Sequence, residues 1–567
     1  QPRAEPTPPA LTRMSTTTGR SGTRAPATLK RMRTSRYAEW DERPSSTAPD
    51  GMPVSPASPQ SPVRPTSLQL PRANAAERYT YYASPWAAQP QPPWFPEEGA
   101  PATFSKTRVA EYQLLDFNPQ LNTSSYVNVV FEPEEDHVAL MGLRVNIADQ
   151  TIYPGSFRLH NDALNMVADL WHCPKPAQFD EYGCFPGAGT VGSTEACLLA
   201  GLALKFRWRA WYAKRHGLTE HQVRAVYPNL VMSTMFQACW EKMFKYMDVE
   251  PNFVVPTVGS FTLDPDEVAR HVNDKTIGVV CILGNHYGGQ YDPVAAIGAA
   301  IDRVNLENGW QVGIHVDAAS GGFIAPFQDN VPPWDFRVPQ VLSISASGHK
   351  FGESCCGTGW VVWRERTNLA EFVAINVSYL GGKAESYTLN FSRPASGVYV
   401  QLYKFLRLGK EGYRMLTNNQ MATAEFIRCG LKAMLHDDKP LFKVLDHGST
   451  NCLPVVTAML HPDLDLPYDA IDLQHVLAER HWYVSGYKMQ FHDPVTGESL
   501  PLFTDMPAGT TMFRVVVKSN LTRALAGDLL TSIGNSVQFL EQVGEGYAAM
   551  HQVEVRKSKS GAHITVC

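Results

Sequence analysis

Four short, apolar, β-rich runs punctuate the middle of this chain at Asn229–Met232, Ile277–Leu283, Val312–Val316 and Val341–Ile344, with helix-length segments between them. Strands spaced in this way need crossover connections, so the pattern predicts an α/β fold with a mostly parallel sheet and helices on both faces. Gly359–Trp363 offers a further strand. Upstream, the segment 161–171 places Leu164, Val167, Leu170 and Trp171 on one helical face, and Ser193–Arg215 reads as a longer helix. The region after about residue 430 reads as a smaller α+β unit.

At 567 residues the chain exceeds the usual span of one hydrophobic core, so a large domain, a smaller C-terminal domain and appended segments are expected. A net charge of −5 gives no global attraction to nucleic acid or to an anionic membrane, and neither is expected as a partner. No uninterrupted apolar stretch approaches the roughly 20 residues of a transmembrane helix. The ten cysteines fall mostly inside apolar runs without Cys-x-x-Cys spacing, which predicts reduced, buried thiols and no metal site. Residues 1–104 are crowded with Pro, Ser, Thr and Arg and read as a disordered extension. Arginines among Ser and Thr near its start partly imitate an organelle transit peptide, but the frequent prolines oppose the helix such a peptide needs. A cytoplasmic location is the expectation.

Chemistry concentrates in three places. In Ser343–Gly352 a lysine, Lys350, follows His349 in a small-residue loop, where its amine can reach a cofactor aldehyde. Upstream, the apolar run 312–316 ends in Asp317 followed by Ala318, Ala319, Ser320 and two glycines, a placement suited to an acid that meets a cofactor ring nitrogen. Gly189–Gly192 leads into the helix that begins at Ser193 and Thr194, and free amides at such an end bind phosphate. Read singly, Lys350 is a solvated surface charge and Ser193 an ordinary helix cap. Together they form three corners of one cofactor site.

These three motifs resemble the group II pyridoxal-phosphate decarboxylases. Asn165–Trp171, Trp334–Pro339, Asn390–Pro394 and Phe405–Tyr413 extend the similarity to glutamate decarboxylases, over roughly residues 105 to 545. The resemblance implies an aspartate-aminotransferase-like (fold type I) architecture and a homodimer, with a hexamer also open. It divides the chain into 105–160 (dimer and substrate pocket), 161–430 (large cofactor domain), 431–545 (small C-terminal domain) and a flexible tail, 546–567. It also implies pyridoxal 5′-phosphate as cofactor, L-glutamate as substrate and 4-aminobutyrate with CO2 as products. Lys350 would carry the cofactor as an imine that the substrate amine displaces. Asp317 would keep the ring nitrogen protonated. Gln237 and Ala319 would pack on the two ring faces, with Ser320 beside them. Ser193, Thr194, Ser347 and His349 would hold the phosphate, with Ser392 reaching it from the neighbouring subunit. Arg514 would grip the substrate's α-carboxylate and set the torsion for decarboxylation. Ser125, Tyr126, Asn146 and Asp149 would receive the distal carboxylate, and Phe391 would close the pocket from the partner chain. An aspartate in a carboxylate pocket predicts faster turnover at mildly acidic pH, because neighbouring like charges raise a pKa.

Three features depart from the family pattern or stand outside it. His286 occupies a position where the family commonly has a threonine near the cofactor ring, Glu241 follows the plant-type pattern, and Cys355 and Cys356 read as buried small hydrophobes. The basic tail lacks the Trp-bearing amphipathic helix that calmodulin takes, so calmodulin is not expected; His563 reads as part of a solvated tail. Two rival functions remain open at this point: decarboxylation of another amino acid, and a non-catalytic regulatory relative.

Overall fold

The structure is a computed structural model that describes residues 80–89, 94–175, 183–369, 373, 375–377, 384–386, 388–446, 448, 451–544 and 546–547. The chain divides into two compact units, Gln1–Pro101 and Ala102–Cys567. Described residues of the first form two short 3-10 turns, Tyr81–Ala83 and Pro85–Ala88. Expectations for residues 1–79 and for the tail from 548 onward, His563 included, lie outside the described residues.

The second unit is built on a seven-stranded sheet: β1 (Gly187–Val191), β2 (Asn229–Ser233), β3 (Glu250–Val254), β4 (Thr276–Ile282), β5 (Ile314–Asp317), β6 (Val341–Ser347) and β7 (Thr358–Trp363). Their order is β1-β7-β6-β5-β4-β2-β3. Neighbours from β6 to β3 run parallel, while β7 is antiparallel to both β6 and β1. The reversal follows from chain length: residues 348–357 are too few for a helical crossover, so the chain folds straight back beside β6. Lys350 lies in that forced return.

Two strands were not legible in the sequence. β1, which reads as part of a glycine loop, pairs with β7 from Gly187↔Val362 to Val191↔Thr358. A side chain at Gly187 would sit 2.6 Å from the Val361 carbonyl oxygen, so glycine there permits the pairing. β3 carries Pro251, which cannot donate to a ladder, and accordingly lies at the sheet edge.

Helix α1 (Gly192–His216) starts directly from β1 and packs against β4, β6 and β7, with Ala196, Cys197, Leu199, Ala200, Ala203 and Leu204 buried. It stops at Gly217, whose φ of 65° is easy only for glycine, and its last turn carries Lys214, Arg215 and His216 against the helix dipole. Helix α2 (Ala238–Tyr246) follows β2. Helix α3 (Ser396–Lys432) is broken at Gly409, where φ is 59°, and passes into the smaller C-terminal sheet. That sheet contains β8 (Phe442–Val444), β9 (Val455–Leu460), β10 (Ser485–Lys488) and β11 (Thr511–Val516) in the order β8-β9-β11-β10, antiparallel throughout.

Strand alternation in β11 decides one functional placement. Phe513 and Val515 join the C-terminal core with Ala458, Leu473 and Leu529, whereas Met512 and Val516 pack into the cores of the large sheet. Arg514 has the parity of Met512 and Val516, so it faces the large sheet.

Candidate active site

Parallel strands end at one edge, and in open α/β sheets ligands bind beyond the carboxyl ends of the strands. Here β1 delivers Gly192 and Ser193 to that edge, β4 delivers His286, β5 ends on Asp317, and β6 leads to Ser347, His349 and Lys350.

Asp317 is 3% exposed. Its Oδ2 accepts from Trp240 Nε1–H at 2.8 Å and its Oδ1 from the Ala319 amide at 3.1 Å, which together lock the carboxylate plane. The thiols of Cys197 and Cys239 and a carboxylate oxygen of Asp317 lie within 4.8 Å of one another. Burial pushes the Cys197 thiol well above its ordinary pKa, so it stays protonated. Below, His315 bridges Ser343 Oγ at 2.8 Å and Ser345 Oγ at 3.0 Å, and burial lowers its pKa to about 3. The acid therefore stands on a neutral, hydrogen-bonded floor.

Lys350 Nζ donates to Ser320 Oγ at 3.3 Å and lies 5.3 Å from the centre of the Tyr126 ring. Burial is the main cause that lowers its pKa, partly opposed by Asp317, and this enriches the free amine that attacks carbonyls. His349 donates from Nδ1 to the Thr358 carbonyl at 2.7 Å; burial, then the Lys350 charge, hold its pKa at about 4, so the ring is neutral.

Ser193 is not the cap of its helix. The N-cap is Val191, whose side chain makes no cap bond. Glu195 Oε2 accepts from the Val191 amide at 2.6 Å, while Ser193 Oγ accepts from Ser347 Oγ–H at 2.7 Å. The Gly192 amide is taken by the Gly357 carbonyl at 3.0 Å, and the first turn that follows begins beside two hydroxyls, an arrangement for an anion. The wall is tight: a side chain at Gly192 would meet His349 Cε1 at 3.5 Å, and one at Gly359 would sit 2.3 Å from the Gly192 carbonyl carbon. Thr194 occupies the same first turn. Gln237 is the N-cap of α2, with its side chain not used in capping.

Arg514 is 1% exposed, not the surface ion pair of its plainest reading. Its Nη1 donates to the His286 carbonyl, its Nη2 to the Ser124 carbonyl at 3.0 Å and to Ser485 Oγ at 3.4 Å. Its Nε has no partner among the described residues, and no carboxylate pairs with it there. The guanidinium lies 5.0 Å from the Tyr126 ring centre and 5.8 Å from that of Tyr487. Tyr126 OH donates to the same His286 carbonyl at 3.1 Å. A buried cation of this kind carries a penalty of several kcal/mol unless an anion joins it.

Ser125 adjoins this group in sequence, and its hydroxyl accepts from the Val127 amide at 3.2 Å. Asn146, Asp149, Phe391 and Ser392 form a second cluster. Asn146 Nδ2 donates to Ser392 Oγ at 3.3 Å, its Oδ1 accepts from the Arg393 amide, and Asn146 bridges Pro394. Asp149 caps the Ile152 amide at 3.2 Å, and the Phe391 carbonyl accepts from Arg393. Next to it, Ile147, Phe157, His160, Thr388 and Arg393 line a small cavity.

Sequence reasoning missed Trp240, Cys197, Cys239, Ser124 and Ser485. Trp240 stands three residues after Gln237, but its bond to Asp317 spans 77 residues; Ser485 meets Arg514 only through β10–β11 register. Cys356 is exposed and Cys355 only half-buried, contrary to expectation, because both sit in the return loop between Glu353 and Gly357, which have positive φ.

The sequence profile of the pyridoxal-dependent decarboxylase conserved domain matches residues 137–450. The chain belongs to that family. Relatives include "Glutamate decarboxylase beta" of Listeria innocua, 37% identical over 67% of this chain and 79% of that protein. "Glutamate decarboxylase 1" of Arabidopsis thaliana is 33% identical over 82% and 86%. Among solved structures, a Lactobacillus brevis glutamate decarboxylase superposes with a TM-score of 0.73 at 33% identity, over 82% of this chain and 99% of that one. A Burkholderia pseudomallei sphingosine-1-phosphate lyase shares the fold alone, with a TM-score of 0.62 at 21% identity, over 84% and 100%. The fold is thus the aspartate-aminotransferase-like type I, and pyridoxal phosphate is the family's cofactor. The donor set fits that group: a half-buried lysine for the aldehyde, a buried acid for the ring nitrogen, and a helix start with hydroxyls for the phosphate.

Proposed function

We infer that this protein is a glutamate decarboxylase, releasing the α-carboxylate of L-glutamate as CO2 and forming 4-aminobutyrate. One structural observation carries the reading to an amino-acid carboxylate. Arg514 is a buried guanidinium with a free Nε and no acid partner among the described residues, poised beside Lys350's neighbour Tyr126. The similarity to named glutamate decarboxylases over most of the chain supplies the side chain.

Bound pyridoxal phosphate supplies an electron sink for the pair left behind when CO2 departs. The chain's residues do the rest. Lys350 would hold the cofactor's aldehyde carbon until the substrate amine takes that place. Asp317, held by Trp240 and Ala319, would keep a proton on the ring nitrogen. Ser193, Thr194, Ser347 and His349 would hold the phosphate, and Gln237 and Ala319 would enclose the ring. Arg514 orients the leaving carboxylate, using its binding energy for alignment.

Ser125 receives the distal carboxylate, with Asn146, Asp149, Phe391 and Ser392 offered to a second copy of the chain. A homodimer is supported by exposed apolar side chains among residues 109–143, where Leu114 and Leu115 are 81% and 83% exposed and Leu140 and Met141 are exposed as well. A cytoplasmic location is supported by nine free cysteines among the described residues, which suit a reducing compartment. No described helix is long and apolar enough to cross a membrane.

Incubation with carboxyl-labelled L-glutamate tests the function: labelled CO2 and 4-aminobutyrate are expected in equal amounts, with other amino acids turned over poorly. Borohydride should fix the cofactor on Lys350, and Lys350→Ala should lose both signals. Turnover by the Lys350→Ala protein would refute the assignment.

A further inference from the structure

We propose that the His286 imidazole delivers the proton that replaces the departing carboxylate at the substrate's α-carbon. This rests on the decarboxylase reading and assigns a role that no cofactor or carboxylate contact above performs.

The position follows from connectivity. The α-carbon is bonded both to the amino nitrogen, which takes the place of Lys350 Nζ, and to the carboxylate gripped by Arg514. It must therefore lie between those two side chains. His286 adjoins both, since its backbone carbonyl meets Arg514 and the hydroxyl of Tyr126, and Lys350 Nζ stands 5.3 Å from the centre of that same Tyr126 ring. Its backbone is held in place, because its carbonyl accepts from Arg514 Nη1 and from Tyr126 OH. Its ring packs on Tyr287 with centroids 4.0 Å apart.

Nδ1 of this ring is shielded from solvent and has no partner among the described residues. An unpaired buried nitrogen is unfavourable and is expected where a ligand supplies the missing contact. Lys350, Arg514 and Tyr287 face the ring, with Tyr487 beyond Tyr287. Burial first, and then the two cations, push its pKa well below the usual value, so it is neutral in the free protein. A dicarboxylate substrate offsets the two cations and so favours protonation.

The proton count closes. The bond from the α-carbon to the carboxylate breaks, CO2 leaves, and the pair left behind ends in a new C–H bond whose hydrogen comes from the imidazolium. The imidazole, neutral again, takes a proton from solvent, so one proton is consumed per CO2 released.

The test uses the cofactor-loaded wild type, His286→Asn, which keeps a polar atom near Nδ1 but has no titratable proton to give, and His286→Gln in case the first folds poorly. Two readouts are needed besides rate. Nuclear magnetic resonance titration of His286 should show a ring that titrates well below the usual histidine range in the cofactor-free protein and a clearly higher pKa with a non-reacting glutamate analogue bound. In the variants kcat should fall about 100-fold or more, and the ratio of aldehyde to amine product should rise, as protonation misses the α-carbon. Cofactor affinity should stay within about threefold, the context scatter of single contacts. An unchanged kcat and product ratio in a variant that binds cofactor, with the wild type active, overturns the proposal alone. An inactive wild type on every amino acid overturns the decarboxylase reading as well.

Discussion

Glu353 lies three residues beyond Lys350 in the return loop and is 5% exposed. Its amide donates to the Lys350 carbonyl at 3.1 Å, its carbonyl accepts from Asn128 Nδ2 at 2.9 Å, and its Oε2 accepts from Ser519 Oγ–H at 3.0 Å. Burial outweighs that hydrogen bond and the Lys404 and Lys518 charges, raising its pKa from 4.5 to about 7. Between those values the folded chain keeps a proton that the unfolded chain has released. Stability from this group is therefore complete below about pH 4.5 and falls as pH rises to about 7. At about 1.4 kcal/mol per pH unit, the interval from 4.5 to about 7 amounts to about 3 kcal/mol. Glu353→Gln keeps an acceptor for Ser519 and abolishes the titration. Urea midpoints of both proteins, measured from pH 4.5 to 8, should coincide at the acid end, with the variant more stable by about 3 kcal/mol at the neutral end. Lys518, lowered to about 8 mainly by burial, regains stability only above that pH, outside the window. Parallel pH profiles for the two proteins would refute the reasoning.

Three further outcomes are expected. Asp317→Asn leaves one carbonyl oxygen for either the Trp240 or the Ala319 N–H, turns an amide group against the other and removes the charge, so kcat should fall by about 100-fold or more, with a melting temperature lowered by the one lost contact. Gly359→Ala forces a methyl onto the Gly192 backbone, and should destabilise by about 2 kcal/mol and speed cofactor release, read by urea unfolding and by gel filtration of the loaded protein. Leu114→Asp with Leu115→Asp should leave secondary structure intact by circular dichroism but lower the mass in analytical ultracentrifugation, if that apolar surface joins two copies.

Local chemistry made much of the site readable. Asp317 follows an apolar run, Lys350 sits among small residues, and both lie at strand ends because strands of the large sheet are continuous in sequence. β1 escaped because its glycines look like a loop; their purpose is the close approach to Val361 and His160, which involves distant residues. The plain capping alternative for Ser193 does not hold, since Val191 is the N-cap and the Ser193 hydroxyl meets Ser347, 154 positions away.

The order of residue types alone determined the α/β class, the strand ends and the three cofactor motifs, because each depends on periodicity or on neighbours within a few positions. Tertiary structure decided the environments. It alone buries Arg514 without an acid among the described residues, sets Trp240 on Asp317 and turns the plain His286 into an unpaired nitrogen beside two cations. Burial and charge are sums over atoms from many elements, and no short stretch of chain contains them.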